Sequence, residues 1–332
     1  MVCFADNPPA FYLTRPGFEQ AAARVDLWIA RSQEAVRQFS ELGLPVAFAP
    51  YSVDPKTFHP IDSETRWKIR ADLGLQEGDF VVGNFHRDSL ERNLSLPKAQ
   101  KGPDLFVDLV ENAGKSIPSL KVLLAGPRRH WLRGELTRRG IPFLFVGEVI
   151  ETDDFSLNVL PREKLNALYS ALDCVVISSR WEGGPYAALE ALFAGRPVIS
   201  TRVGMSSDIL QGLLYSTPQE GAELLARVDA KGADVTLLRN AALRSHSSEA
   251  LAASLISAYG RFVVKPVSAL HAVKALSAFG LSRMHQVFRK PFGRHQQVAG
   301  MMEDVSRNKT GKNTLIQTSI AIAGAEAAVG KS

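Results

Sequence analysis

The chain is poor in cysteine. Of its 332 residues only Cys3 and Cys174 are cysteines, too far apart in sequence to suggest a metal knuckle, and Cys174 falls within a buried strand, so a reduced, cytosolic compartment is expected. Long apolar runs are also missing. The stretch from Ile316 to Val329 is interrupted by Gln317 and Glu326 and is too short to cross a bilayer. Aromatic residues make up 8% of the chain and do not interleave with its lysines and arginines. With no zinc, helix-turn-helix or base-stacking pattern either, nucleic acid is not the expected partner, despite an isoelectric point near 9.2. Internal repeats are absent. The positive charge itself is local. Residues 262–332 hold ten Lys or Arg against three Asp or Glu, so this tail carries +7 and the rest −2 of the net +5.

Short apolar runs at Asp79 to Phe85, Leu120 to Ala125, Phe143 to Val146, Cys174 to Ser178 and Val198 to Thr201 read as buried strands. They alternate with helical patterns at Pro103 to Asn112, Arg162 to Ala171 and Ala187 to Ala194. This rhythm predicts an α/β fold with a doubly wound, Rossmann-like parallel sheet. Ligands of such sheets bind beyond the carboxyl ends of the strands, where Gly83, Gly147, Ser179 and Gly204 are expected to converge.

The segment from Ser179 to Glu190, S-R-W-E-G-G-P-Y-A-A-L-E, follows one of these strands and opens a helix. Pro185 suits the first helical position, and Gly183 and Gly184 permit close approach of backbone to a ligand. The N–H groups of Tyr186 and Ala187 would then point out of the helix start, where they and the helix dipole favour a diphosphate. Glu182 precedes the helix, and Glu190 lies about one and a half turns inside it. Carboxylates accept two hydrogen bonds from a vicinal diol, so one suits a sugar ring and the other a ribose, with no metal or cofactor required. Either glutamate alone is equally compatible with an ordinary acidic helix start.

The E-x7-E spacing of Glu182 and Glu190, the small-residue turn and helix from Gly183 to Ala191, and the next strand, Pro197 to Ser200, resemble the retaining glycosyltransferases of family four. Those enzymes have the GT-B fold of two facing Rossmann-like domains, and the likeness runs from about Val25 to Val263. It implies transfer of a hexose from a nucleoside diphosphate sugar to a glycan or lipid-linked acceptor, with retention and without metal. It also implies a basic residue after the strand Asp79 to Phe85 and a Lys-Gly at the next helix start, both neutralising the leaving diphosphate. Lys101 takes the second role. Asn84 stands where many members have arginine, so Arg87 is assigned the first, and Lys98 competes for either role. Many members carry glycine at the position of Pro185. The loop from Glu148 to Pro161 would border the base, read by backbone around Val159 and Leu160. His59, His86 and His130 are expected to be incidental.

Three regions follow: 1–60, a remnant of the N-terminal acceptor domain plus linker; 61–262, the nucleotide-sugar-binding domain; and 263–332, a basic helical or disordered tail. Only about sixty residues precede the linker-like Pro50 to Pro60, so most of the first domain is expected to be missing, and nothing in residues 1–24 reads as an interface. Residues 266–294 have the basic amphipathic character that lets a helix lie on anionic membrane at the inner face, although a helix packed across the domains is the alternative. Residues 303–314 fit disorder. Two other readings stay open: a non-catalytic nucleotide-sugar-binding protein or donor-binding subunit of a split enzyme, and a nucleotide-sugar epimerase.

Overall fold

The structure, a computed structural model, describes residues 1–231 and 234–263. The membrane contact expected at 266–294 and the disorder expected at 303–314 lie outside them. A first group of elements comprises β1 (Val2–Ala5), α1 (Pro9–Leu13), α2 (Phe18–Ala22), β2 (Leu27–Ala30), α3 (Gln33–Glu41) and β3 (Val46–Phe48). After α4 (Ser63–Asp72) come β4 (Phe80–Asn84), β5 (Ser89–Leu90), β6 (Asn93–Pro97), a 3-10 turn at Ala99–Lys101 and α5 (Pro103–Gly114). The chain continues through β7 (Leu120–Ala125), α6 (His130–Arg138), β8 (Phe143–Val146), α7 (Arg162–Ala171), β9 (Cys174–Ile177) and α8 (Tyr186–Phe193). It ends with β10 (Val198–Thr201), α9 (Gly204–Ile209), β11 (Leu214–Tyr215), α10 (Pro218–Lys231), α11 (Thr236–His246) and α12 (Ser248–Val263). Among the described residues no helix is long and apolar enough to cross a membrane.

The larger sheet is parallel throughout, in the order β11-β10-β9-β4-β7-β8. Its strands are continuous apolar runs because helices cover both faces. Side chains alternate between the two sides, so Val81, Leu123, Val175 and Ile177 enter one core while Val82, Leu124, Cys174 and Val176 enter the other. Helix α5 starts with Pro103, whose missing N–H needs no partner there, and its Phe106, Val107, Leu109, Val110 and Ala113 complete the second core. From β4 the chain winds outward to β7 and β8, then returns to the other side of β4 for β9, β10 and β11. The reversal lies between β4 and β9. In a doubly wound sheet this is the point where the carboxyl ends of two neighbouring strands leave a crevice.

The smaller sheet, β1-β2-β3, is also parallel. Alternation along β2 sends Leu27 and Ile29 against α12, through Leu251, Leu255 and Ala258, and sends Trp28 into an aromatic cluster with Tyr12, Phe18 and Phe39. Helix α12 therefore returns to the first sheet after the second is complete. The segment after β4 forms a hairpin. Strands β5 and β6 pair antiparallel, and Lys98 N–H donates to the Asp88 carbonyl at 2.6 Å, closing its base. Strands of two and five residues leave too little alternation to be seen in sequence.

Candidate active site

A cleft of about 570 Å³ opens at the β4–β9 reversal. The β4 side supplies Phe85, His86 and Arg87, the 3-10 turn Gln100 and Lys101, α7 Leu165 and Tyr169, and the β9–α8 turn Glu182, Gly184 and Pro185. The first two turns of α8 add Tyr186, Ala187 and Glu190. Of the ten residues singled out in the sequence, seven line this cleft. Gly183 lies beside it, while Val159 and Leu160 are not among its lining residues. Val159 is exposed, and Leu160 packs against the apolar core.

Lys101 and Glu182 form an ion pair across the crevice, and Ser179 Oγ donates to the same Glu182 Oε1 at 2.9 Å. Their side chains are only 19% and 10% exposed, so water screens this pair less than a surface one. Gly102 fixes the approach of the two segments, and Ser178 Oγ donates to the Lys101 carbonyl at 3.0 Å. Glu190, from within α8, accepts from Tyr169 Oη at 2.8 Å through Oε2. Burial pushes its carboxyl above the usual range, against the lowering by Tyr169 and Arg162. The other Glu190 oxygen has no protein donor among the described hydrogen bonds.

Helix α8 begins at Tyr186, with Pro185 as an extended N-cap (ψ 112°) and not the first helical residue. A proline cap offers no side-chain acceptor, and the first backbone bond runs from Ala188 N–H to Pro185 O at 3.0 Å. The N–H groups of Tyr186 and Ala187 are left pointing outward at the positive end of the helix. The close approach expected of Gly183 and Gly184 is made by the chain itself. A Cβ on Gly183 would come within 2.2 Å of the Asp6 carbonyl oxygen, and one on Gly184 within 2.5 Å of the Tyr51 ring.

Arg87 stands at the rim, 3.7 Å from Glu91 and over the Phe155 ring. Lys98 is beside it at the hairpin base but does not line the cleft. Burial, then Arg87 and Lys101, lower the pKa of its ammonium. Asn84 is buried at the end of β4, where its Oδ1 and carbonyl accept from Arg129 at 2.8 and 2.7 Å. Arg129 is fully buried and pairs with Asp88 at 3.2 Å.

The opposite wall comes from the smaller sheet: Asp6 and Asn7 after β1, Arg31 after β2 and Tyr51 after β3. From the first 24 residues, Asp6 and Asn7 thus line the cleft within the chain. Tyr51 Oη donates to Asp6 Oδ1 at 2.9 Å, and Arg31 lies over the Tyr51 and Phe4 rings while binding the carbonyls of Ala49 and Pro50. Tyr186 packs edge-on against Tyr51, with ring centroids 4.8 Å apart. The available signal was positional, since each of these residues follows the carboxyl end of a short strand. His86, read as incidental, lines the cleft.

Comparison with known proteins bears on the same region. Residues 94–230 match the sequence profile of Glycosyl transferases group 1. The chain is 31% identical over 198 residues to the lipopolysaccharide core biosynthesis mannosyltransferase LpsB of Rhizobium meliloti, covering 57% of this chain and 49% of that protein. It is also 31% identical over 221 residues to a D-inositol 3-phosphate glycosyltransferase of Mycobacteroides abscessus, covering 64% and 45%. The chain therefore spans about half the length of the curated relatives it matches. Anabaena HepE, solved with UDP and glucose, superposes with a TM-score of 0.60 at 18% identity, over 78% of this chain and 71% of HepE. Residues 94–230 accordingly resemble the glycosyl transferases group 1 profile, and the chain shares the GT-B fold of its structural neighbours.

Proposed function

We propose that the chain is a retaining, metal-independent glycosyltransferase of family four that moves a hexose from a nucleoside diphosphate sugar to a glycan or lipid-linked acceptor. One observation carries this reading: Lys101, Arg87, Glu182, Glu190 and the first turn of α8 converge on one cleft at the β4–β9 reversal. Lys101, Arg87 and the Tyr186 and Ala187 N–H groups hold the diphosphate, Glu182 the hexose hydroxyls and Glu190 the ribose diol. The bond from the sugar's anomeric carbon to the phosphate oxygen breaks, and its electron pair leaves with the diphosphate, stabilised by those fixed donors. The acceptor oxygen bonds to the same carbon from the same face, and its proton passes to a diphosphate oxygen. Asp6, Asn7 and Arg31 face this centre from the other wall and would orient the acceptor. In domain terms, region 61–262 binds the donor and region 1–60 supplies that acceptor-side wall.

Calorimetric titration of the chain with UDP, GDP and ADP tests the donor site. One nucleotide should bind in the micromolar range, and Glu190→Ala should weaken it by about tenfold to a hundredfold, the worth of hydrogen bonds to a charged group. Equal affinity in both chains would remove Glu190 from the site.

A further inference from the structure

His86 occupies a position that neither packing nor the protein's own hydrogen bonds explain. It lines the cleft between Phe85 and Arg87 and is only 9% exposed. Its backbone N–H donates to Asn84 Oδ1 at 3.4 Å, which holds the loop against the end of β4. The ring has no such anchor: Nδ1 is buried and has no hydrogen-bond partner among the described residues. Buried polar nitrogens are paired in the great majority of cases, so an imidazole at the wall of a ligand cleft without a protein partner points to one supplied by the ligand.

The surroundings say which ligand chemistry fits. The charges bearing on the ring are Lys101, from the 3-10 turn, and Arg129, from the start of α6. Arg87 follows it in the loop, and Glu182 and Glu190 share the cleft from the α8 side. Burial first, then Lys101 and Arg129, hold the imidazole in its neutral form. A diphosphate entering between Lys101 and the α8 N-terminus reverses that field, because its negative charges favour the imidazolium and can accept a hydrogen bond from it.

We propose that His86 hydrogen-bonds the donor diphosphate and takes up a proton from solvent as the diphosphate binds, so that an imidazolium joins Lys101 and Arg87 around the leaving group. The inference rests on the donor-site reading above. The proton moves from water or buffer to the free ring nitrogen on binding and returns to solvent when the nucleoside diphosphate departs, so turnover consumes none. His86 is then a contact residue for the charge that grows on the leaving group.

The test is calorimetric titration with UDP, GDP and ADP between pH 6 and 7.5, in buffers of different ionisation enthalpy, for the wild-type chain and His86→Gln. Glutamine keeps a hydrogen-bonding side chain of similar length but cannot take up the proton. The nucleotide's own phosphate titrates in both chains, so the difference between them isolates the imidazole. The wild type should take up measurably more protons per bound nucleotide than the variant. Equal uptake in both chains, with binding retained, overturns the proposal and leaves the donor site standing. Imidazole nitrogen NMR of the wild type decides the matter independently should His86→Gln fail to fold. The His86 nitrogens should move to their protonated shifts when the nucleotide is added, and unchanged shifts in a bound complex overturn the proposal. Failure of all three nucleotides to bind removes the donor-site reading and this inference together.

Discussion

Replacing Lys101 with alanine should lower turnover by about 10²–10³-fold, the loss typical of removing one fixed donor to a developing charge. In the proposed reaction, departure of the diphosphate concentrates negative charge beside this ammonium. The ion pair with Glu182 and the bond from Ser178 to the Lys101 carbonyl place it before the reaction begins. No reorganisation is then needed at the barrier. Release of nucleoside diphosphate from the sugar nucleotide identified by calorimetry is the readout, and turnover within a few-fold of wild type would remove Lys101 from the chemistry. A stability effect must be separated, because Lys101→Ala also leaves the largely buried Glu182 with Ser179 as its remaining partner. That orphaning costs about 1–3 kcal/mol. Lys101→Met combined with Glu182→Gln removes the unpaired charge while retaining comparable volume, so its melting temperature should recover toward wild type while its turnover remains low. Recovery of both would mean that the pair is only structural.

Gly102→Ala should destabilise the fold by about 2–5 kcal/mol, from the left-handed backbone and the overpacking combined. Gly102 has φ +56° and ψ +46°, linking the 3-10 turn to α5. A Cβ there would lie 2.0 Å from the Ser178 carbonyl oxygen. The obstacle is backbone, so no rotamer change relieves it. Either α5 must retreat or the segment from Ser178 to Glu182 must move, and both carry the Lys101–Glu182 pair with them. Scanning calorimetry should show a melting temperature lower by roughly 5–20 °C, and turnover should fall with it. Gly114→Ala, at the end of the same helix, is the control. Nothing lies within 4 Å of its Cβ position and its φ is not positive, so it should be neutral or slightly stabilising. A Gly102→Ala chain that melts with wild type would mean that the two segments do not meet as described.

The larger sheet was legible in the sequence because its signals are local. Val81, Val82, Val175 and Val176 belong to short β-branched runs that only a sheet buried on both faces accommodates, and both strands appear where expected. The spacing of Glu182 and Glu190 follows from helix geometry, and seven of the ten residues proposed for the site meet in one cleft. Less was legible where a residue's neighbours are distant in sequence. Gly183 and Gly184 read as ligand-facing, and Gly184 does line the cleft, but the space an added side chain would fill is taken by Asp6 and Tyr51, more than a hundred positions earlier. Asp6, Arg31 and His86 have no distinctive local pattern. Their place in the cleft exists only because two parallel sheets turn their carboxyl ends toward one another.

By itself, then, the sequence determined the α/β class, five of the six strands of the larger sheet with the helices α5, α7 and α8, and the loop–helix unit that presents Glu182, Glu190 and the first N–H groups of α8. Each of these depends on residues within one or two elements, through periodicity, proline and glycine geometry, and helix polarity. Tertiary structure alone decided that α12 returns to cover the first sheet, that Arg129 is buried against Asn84 and Asp88, and that Asp6, Arg31 and Tyr51 close the cleft opposite Lys101. These are long-range contacts between side chains whose partners are fixed by the winding of the chain, and no local periodicity encodes that winding.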